Sequence, residues 1–145
     1  MDNIQTADER RELEYELDRC HSTSLLGRSE VAEIFEDWLF RLDGDRFLLF
    51  AYVVMPNHVH LLLEVADDVS LSEAMKALKG CSSRSINQAL GRKGTFWYRE
   101  YHDRFIRDSE HFHAAVRYIE MNPVKAKLVA APGNWRYASA WKGWV

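Results

Sequence analysis

A small set of side chains in this sequence has the types and spacing for chemistry on a phosphate. His58 and His60 flank Val59. In a strand, residues i and i+2 point to one face about 6–7 Å apart. Two imidazoles placed that way can share one divalent cation, since each ring nitrogen needs to reach only about 2 Å to the metal. The same triplet also describes two partly exposed histidines on a sheet face with ordinary hydrogen-bond partners. Further along, Phe112, Val116 and Ile119 form the apolar stripe of a helix, and His111, Tyr118 and Asn122 fall along one flank of it. Tyr118 and Asn122 stand one turn apart, so a hydroxyl and an amide can converge on one point. A phenol with a pKa of about 10 is a poor nucleophile near neutral pH. A metal-bound phosphate relieves that limit by withdrawing charge from phosphorus and aligning the attack. Taken alone, Tyr118 reads better as a tyrosine at the edge of a core.

A third element is basic and aromatic. Lys76, Lys79, Arg84, Arg92, Lys93, Arg99, Arg104 and Arg107 are interleaved with Phe96, Trp97, Tyr98, Tyr101 and Phe105. Basic side chains neutralise phosphates and aromatic faces stack on unpaired bases, which suits single strands or hairpin ends better than uniform duplex. The competing reading is a loop leading into an edge strand, with its aromatics in the core. Over 145 residues the formal charge is −3 and the pI about 6.1, which excludes a uniformly basic nucleic-acid coat. The charge is uneven. Residues 1–70 carry 6 basic against 16 acidic residues, residues 71–107 carry 8 against 3, and residues 108–145 carry 5 against 3.

These side chains need elements to hold them. Val31, Ile34, Phe35, Trp38, Leu39 and Leu42 have helical spacing from Ser29 onward, and Asp43-Gly44-Asp45 stops the helix. Arg46 to Met55 reads as a strand buried on both faces. Pro56-Asn57 breaks it, and His58 to Val65 returns as the second strand of an antiparallel hairpin. Val59, Leu61 and Leu63 then face away from the histidines. Ser70 with Glu73 is a capping box opening a helix that Gly91 and Gly94 end. A short strand is expected around 104–107, then a helix from about Ser109 to Asn122 stopped by Pro123. The Trp135 to Trp144 tail should pack back on the body. The order argues for α+β, with helices covering a small sheet. Residues 1–27 read as a charged N-terminal segment, helical in part around Arg10 to Tyr15, and residues 28–145 as the domain. Cys20 and Cys81 are too few for a disulfide framework or thiolate zinc site. No apolar run approaches ~18 residues and the N-terminus is acidic, so a soluble cytoplasmic protein is expected, with no membrane segment.

The stretch from Ala51 to Leu62, centred on Met55-Pro56-Asn57-His58-Val59-His60, resembles the signature of the single-tyrosine HUH transposases. Arg117 to Ala126, followed by Leu128-Val129, resembles their nucleophile helix. Phe96 to Asp108 and the Trp135 to Ala140 tail are more similar to the REP-associated tyrosine transposases, the branch linked to palindromic repeats in bacterial genomes. The similarity covers roughly residues 28–141. It implies a ferredoxin-like α+β domain that cuts and rejoins single-stranded DNA, with DNA hairpins from palindromic repeats as partner. It also implies that His58 and His60 hold Mg²⁺ or Mn²⁺ and that Asn122 supplies a third ligand. Tyr118 would attack the scissile phosphate, leaving a 5′-phosphotyrosyl link and a free 3′-OH. Of the basic and aromatic set, Lys79, Arg84, Arg92, Lys93, Trp97, Arg99, Arg104 and Arg107 are then the expected DNA contacts.

One departure from that pattern is expected. Members of the family begin with a strand before the region equivalent to residues 10–30, and none is legible here, so the sheet is expected to lack its first strand. Sequence upstream, a partner chain in a homodimer, or a decaying copy would each account for it. Beside the nuclease and strand transferase stands a second reading, a catalytically impaired module that binds DNA hairpins without cutting them. A third, a hydrolase of small phosphodiesters, finds no nucleotide-binding glycine loop.

Overall fold

The structure, a computed structural model, describes residues 12–19 and 24–144, with side chains except those of 12–19 and 98–102. Cys20, Arg10 and Arg11 lie outside the described residues. The chain runs β1 (Glu12–Arg19), α1 (Ser29–Leu42), β2 (Phe47–Val54), β3 (His58–Val65), α2 (Leu71–Leu90), β4 (Trp97–Phe105) and α3 (Ser109–Lys125). The four strands form one antiparallel sheet in the order β2-β3-β1-β4. This is the ferredoxin-like arrangement, in which the first strand lies inside the sheet.

The expected absence of that strand is therefore corrected. β1 pairs with β3 from Glu12 opposite Glu64 to Asp18 opposite His58, and with β4 from Leu13 opposite Phe105. Leu13, Tyr15 and Leu17 alternate with Glu12, Glu14, Glu16 and Asp18, which is a strand period rather than the helical one expected for this segment.

Two cores lie on the two faces of the sheet. Tyr52, Val54, Val59, Leu61 and Leu63 face α1 and α2, joined by Phe35, Leu39, Leu78 and Trp97. Ala51, Val53 and Leu62 face α3, joined by Ile106, Ala115 and Ile119. The alternation along β3 thus sends its even-numbered residues, the two histidines among them, toward α3. α1 and α2 are tied to each other by the Trp38 indole donating to Ser85 Oγ at 2.8 Å.

Each helix end has a local cause. Ser70 Oγ accepts from the Glu73 amide at 3.1 Å, and Gly91 closes α2 at φ 64°, a backbone conformation that glycine adopts without strain. Asp108 caps α3 by accepting from the His111 amide at 2.7 Å. α3 does not stop at Pro123 but runs to Lys125. Proline there forfeits one amide donor in the last turn, and bonds from the Ala126 amide to Asn122 O and the Leu128 amide to Pro123 O close the end.

Two strands also differ from expectation. β2 is buried on both faces only toward its C-terminal end, since Leu48 and Phe50 are 50% and 40% exposed on the sheet edge. β4 begins at Trp97, well before residue 104, so the part of the basic-aromatic stretch from Trp97 to Phe105 is itself a strand. Among the described residues no helix is long and apolar enough to cross a membrane.

Candidate active site

β3 leaves the tight Met55-Pro56-Asn57 turn, closed by the Met55 amide donating to His58 O at 2.8 Å. His58 sits at the strand's rim, half-buried, and His60 lies two residues in at 4% exposure. Their rings meet edge to face with centroids 4.8 Å apart. His58 Nδ1 lies 2.7 Å from Asn57 Oδ1. If Nδ1 carries the proton it donates there, leaving Nε2 as the free donor atom for a cation. Burial, reinforced by the neighbouring His58, lowers the His60 pKa to about 4, so its imidazole is neutral at pH 7.

α3 crosses this face and brings Tyr118 to His60. The two rings pack edge to face at 5.4 Å, while Tyr118 remains 42% exposed. Asn122 follows one turn on, half-buried, along the same flank. The structure thus gathers His58, His60 and Tyr118 at one point. His111, on the expected flank, is used otherwise: its Nδ1 accepts from the Arg107 amide at 3.1 Å and fixes the start of the helix.

The donor set fits a divalent cation. Two imidazoles bound through nitrogen at about 2.1 Å, at near-right to tetrahedral angles, have centroids roughly 4.5–5.3 Å apart, and the observed 4.8 Å falls in that range. Among the described residues no group of three or more His, Cys, Asp or Glu side chains is placed to hold a metal. The third donor expected from the sequence, the Asn122 amide, is half-buried one turn along α3 from Tyr118.

Two cations beside Tyr118 were not among the expected site residues. A cleft of about 320 Å³ runs along α3 between Ala114, Arg117, Tyr118, Met121 and Lys125. Lys125 Nζ stands 5.4 Å from the centre of the Tyr118 ring. Its place seven residues after Tyr118, two helical turns on, is the signal that could have found it. Ending the helix at Pro123 hides that signal.

The expected DNA contacts divide. Lys79 and Arg84 lie on α2, and Arg92 and Lys93 in the turn after it. Arg92 Nη1 donates to Asn87 Oδ1 at 2.8 Å and its guanidinium lies over the Phe96 ring at 5.6 Å. Arg104 and Arg107 are exposed at the other end of β4, roughly 25 Å away along the strand. Arg99 lies within β4, and its side chain is outside the described ones. Trp97 is a core residue: it is 4% exposed, its indole donates to Ser82 Oγ at 3.0 Å, and its ring packs edge-on against Phe35 at 5.4 Å. Its ring face is therefore not a surface platform for a base.

Fold and site together define a class: a ferredoxin-like sheet whose His-x-His strand meets a tyrosine on a covering helix. The family model "Transposase IS200 like" matches residues 27–122, and the chain belongs to that family. A REP-associated tyrosine transposase of Escherichia coli (strain K12) is 26% identical over 103 residues, which are 70% of this chain and 59% of that protein. The chain therefore spans somewhat under two thirds of this relative's length. Among solved structures, a REP-associated tyrosine transposase bound to a REP hairpin superposes with a TM-score of 0.75 at 22% identity, covering 90% of this chain and 77% of the other. A putative transposase from Deinococcus radiodurans superposes at 0.56 and 28% identity, covering 77% and 88%.

Proposed function

We propose that the chain is a metal-dependent single-stranded DNA endonuclease and strand transferase acting at hairpins of palindromic repeats. The observation that carries this reading is the convergence of a neutral His60, His58 and Tyr118 from two elements on one face of the sheet. The solved relative with a REP hairpin bound supports hairpin DNA as the partner. His58, His60 and Asn122 would hold Mg²⁺ or Mn²⁺, which when bound supplies charge withdrawal at the scissile phosphate.

The chain's own residues then do the rest. Tyr118 Oη forms a bond to phosphorus as the bond from phosphorus to the 3′ oxygen breaks. The phenolic proton leaves to solvent, and the departing 3′ oxygen takes a proton from solvent, so that strand ends in a 3′-OH. DNA remains joined to Tyr118 through its 5′ phosphate. Attack by another 3′-OH reverses the step, rejoins DNA and restores the phenol. Lys125 and Arg117 beside Tyr118 offset charge on the phosphate as it is transferred. The basic residues Lys79, Arg84, Arg92, Lys93, Arg99, Arg104 and Arg107 hold the flanking DNA.

The binding-only reading drew its motive from a missing first strand, and β1 removes that motive. Incubation with a hairpin-flanked single strand and Mn²⁺ tests the proposal. A covalent protein–DNA adduct is expected with the native chain and none with Tyr118→Phe or after chelation of the metal. An adduct formed equally by Tyr118→Phe would refute it.

A further inference from the structure

The two histidines of the site are fixed in different ways. His60 is 4% exposed, and its ring packs edge to face against both His58 and Tyr118, at 4.8 and 5.4 Å. Packing holds it. His58 stands half-buried at the rim of β3. Among the described residues its ring has one ring neighbour, His60, and one hydrogen-bond partner, the Asn57 side chain at 2.7 Å.

Asn57 is itself held in place. It is the third residue of the turn Met55-Pro56-Asn57-His58, which the Met55 amide closes by donating to His58 O at 2.8 Å. Pro56 pre-sets the backbone at the second position of that turn. Gly27, in the segment before α1, approaches Pro56 so closely that a Cβ on the glycine would lie 3.4 Å from the Pro56 Cβ. The turn is therefore backed by another part of the chain, although the Asn57 side chain is exposed.

A neutral imidazole has one protonated nitrogen and one lone-pair nitrogen, and only the lone pair can bind a cation. In water an unpartnered imidazole favours the proton on Nε2, which would leave Nδ1 as the donor atom. The oxygen of the Asn57 amide lies at Nδ1 and is an acceptor, so it draws the proton to Nδ1 and leaves the lone pair on Nε2. An amide turned end for end would donate to Nδ1 instead and put the proton on Nε2.

We propose that Asn57 is the positioning residue of His58: its amide oxygen accepts from Nδ1–H, fixes the tautomer and the ring, and reserves Nε2 for the divalent cation. The proposal rests on the metal reading above and adds to it a residue that acts through His58 before any metal arrives. The two imidazoles are then prepared in the metal-free chain, His60 by burial and His58 by Asn57.

Long-range proton–nitrogen NMR of the histidine rings reads the tautomer directly in the metal-free chain, at about pH 8 to stay above the ordinary imidazole range. In the native chain His58 should carry its proton on Nδ1. Asn57→Leu keeps the shape of the side chain and removes the acceptor, so the proton should move to Nε2 while the His60 signals stay unchanged. Binding of Mn²⁺, followed by EPR of the free ion, should weaken about tenfold in Asn57→Leu. Asn57→Asp restores an acceptor and should bind Mn²⁺ within about threefold of the native chain or more tightly. A native His58 with its proton on Nε2 would overturn the proposal. So would an Asn57→Leu chain that kept the native tautomer or the native Mn²⁺ affinity. Equal losses of affinity in Asn57→Asp and Asn57→Leu would also overturn it, by making Asn57 a residue of the turn alone. If the native chain bound no Mn²⁺, the metal reading would fail and the proposal with it. If it bound Mn²⁺ and Asn57→Leu bound it equally well, only the role of Asn57 would fail.

Discussion

Arg136→Met should loosen the clasp that the C-terminal tail places on β2, and the structure allows the cost to be worked out. Glu36 is 3% exposed and accepts from the Tyr52 hydroxyl at 2.5 Å, while Arg136 Nη1 lies 3.3 Å from its Oε1. Burial raises the Glu36 pKa even so, with Tyr52 and Arg136 pulling it back. Removing the cation from a buried pair costs about 3–5 kcal/mol, but the Arg136 side chain is 37% exposed and solvent screens much of this, leaving about 2 kcal/mol. The guanidinium also sits 4.9, 4.4 and 5.4 Å from the ring centres of Tyr137, Trp141 and Trp144, contributing about 1 kcal/mol more. A total of about 3 kcal/mol corresponds to a fall in Tm of about 10 °C.

The loss should depend on pH. The folded pKa of Glu36 lies above its unfolded value of 4.5, so this carboxyl destabilises the fold above the folded pKa and ceases to do so as pH falls below 4.5. Losing Arg136 raises the folded pKa further. The gap between native and variant stabilities should therefore be widest at neutral pH and narrow toward 4.5. Urea unfolding at a series of pH values measures it, with Glu36→Gln/Arg136→Met as the control that removes the stranded charge. A gap independent of pH, or a double variant no more stable than the single one, would refute the reasoning.

Other expectations follow from the same geometry. The His60 pKa lies near 4 against 6.5 unfolded, so its contribution is intact above 6.5 and lost as pH falls from 6.5 to 4, by about 3 kcal/mol. Comparison of pH-dependent urea unfolding with His60→Leu isolates that amount. Lys125→Gln should slow adduct formation about tenfold at saturating DNA, in a single-turnover gel assay, and leave hairpin affinity within about twofold. Trp97→Phe removes the indole donor from the buried Ser82 hydroxyl and should cost about 1–2 kcal/mol by urea unfolding, without changing affinity for a blunt hairpin.

The parts legible from sequence were those whose local pattern agrees with their burial. The histidine strand alternates cleanly, α2 carries both its caps, and the flank shared by Tyr118 and Asn122 follows from helical period alone. β1 was missed because a strand inside a sheet is ordinarily apolar, whereas Glu12, Glu14, Glu16 and Asp18 are residues of low strand propensity. Pairing on both sides overrides that preference, and pairing is a tertiary fact. The basic-aromatic stretch was misplaced for a related reason. Trp97 beside Arg99 looks like a stacking surface in one dimension, but the alternation of β4 turns the indole into the core and onto Ser82. Lys125 was lost to the rule that proline ends a helix, which does not hold where only one bond of the final turn is forfeited.

The histidine hairpin is held from both sides by segments outside the residues 27–122 that the family model matches. On one side β1 pairs with β3 along seven positions that include His58 and His60. On the other, the tail lies against the β2 edge. The Val54 amide donates to Tyr137 O at 2.8 Å, the Ser139 amide to Tyr52 O at 3.0 Å, and the Trp135 indole to Val54 O at 3.0 Å. Trp135 also packs in the core beneath α3, the helix of Tyr118. One side chain therefore touches both the strand that leads into His58 and the core under the tyrosine. The proposed cation site needs its two imidazoles placed to within about 0.5 Å, and the proposed nucleophile must be set against them with similar accuracy. Residues that do no chemistry, far apart in the chain, set that accuracy. Arg136→Met should accordingly weaken metal affinity as well as stability, although Arg136 stands on neither the histidine strand nor the tyrosine helix.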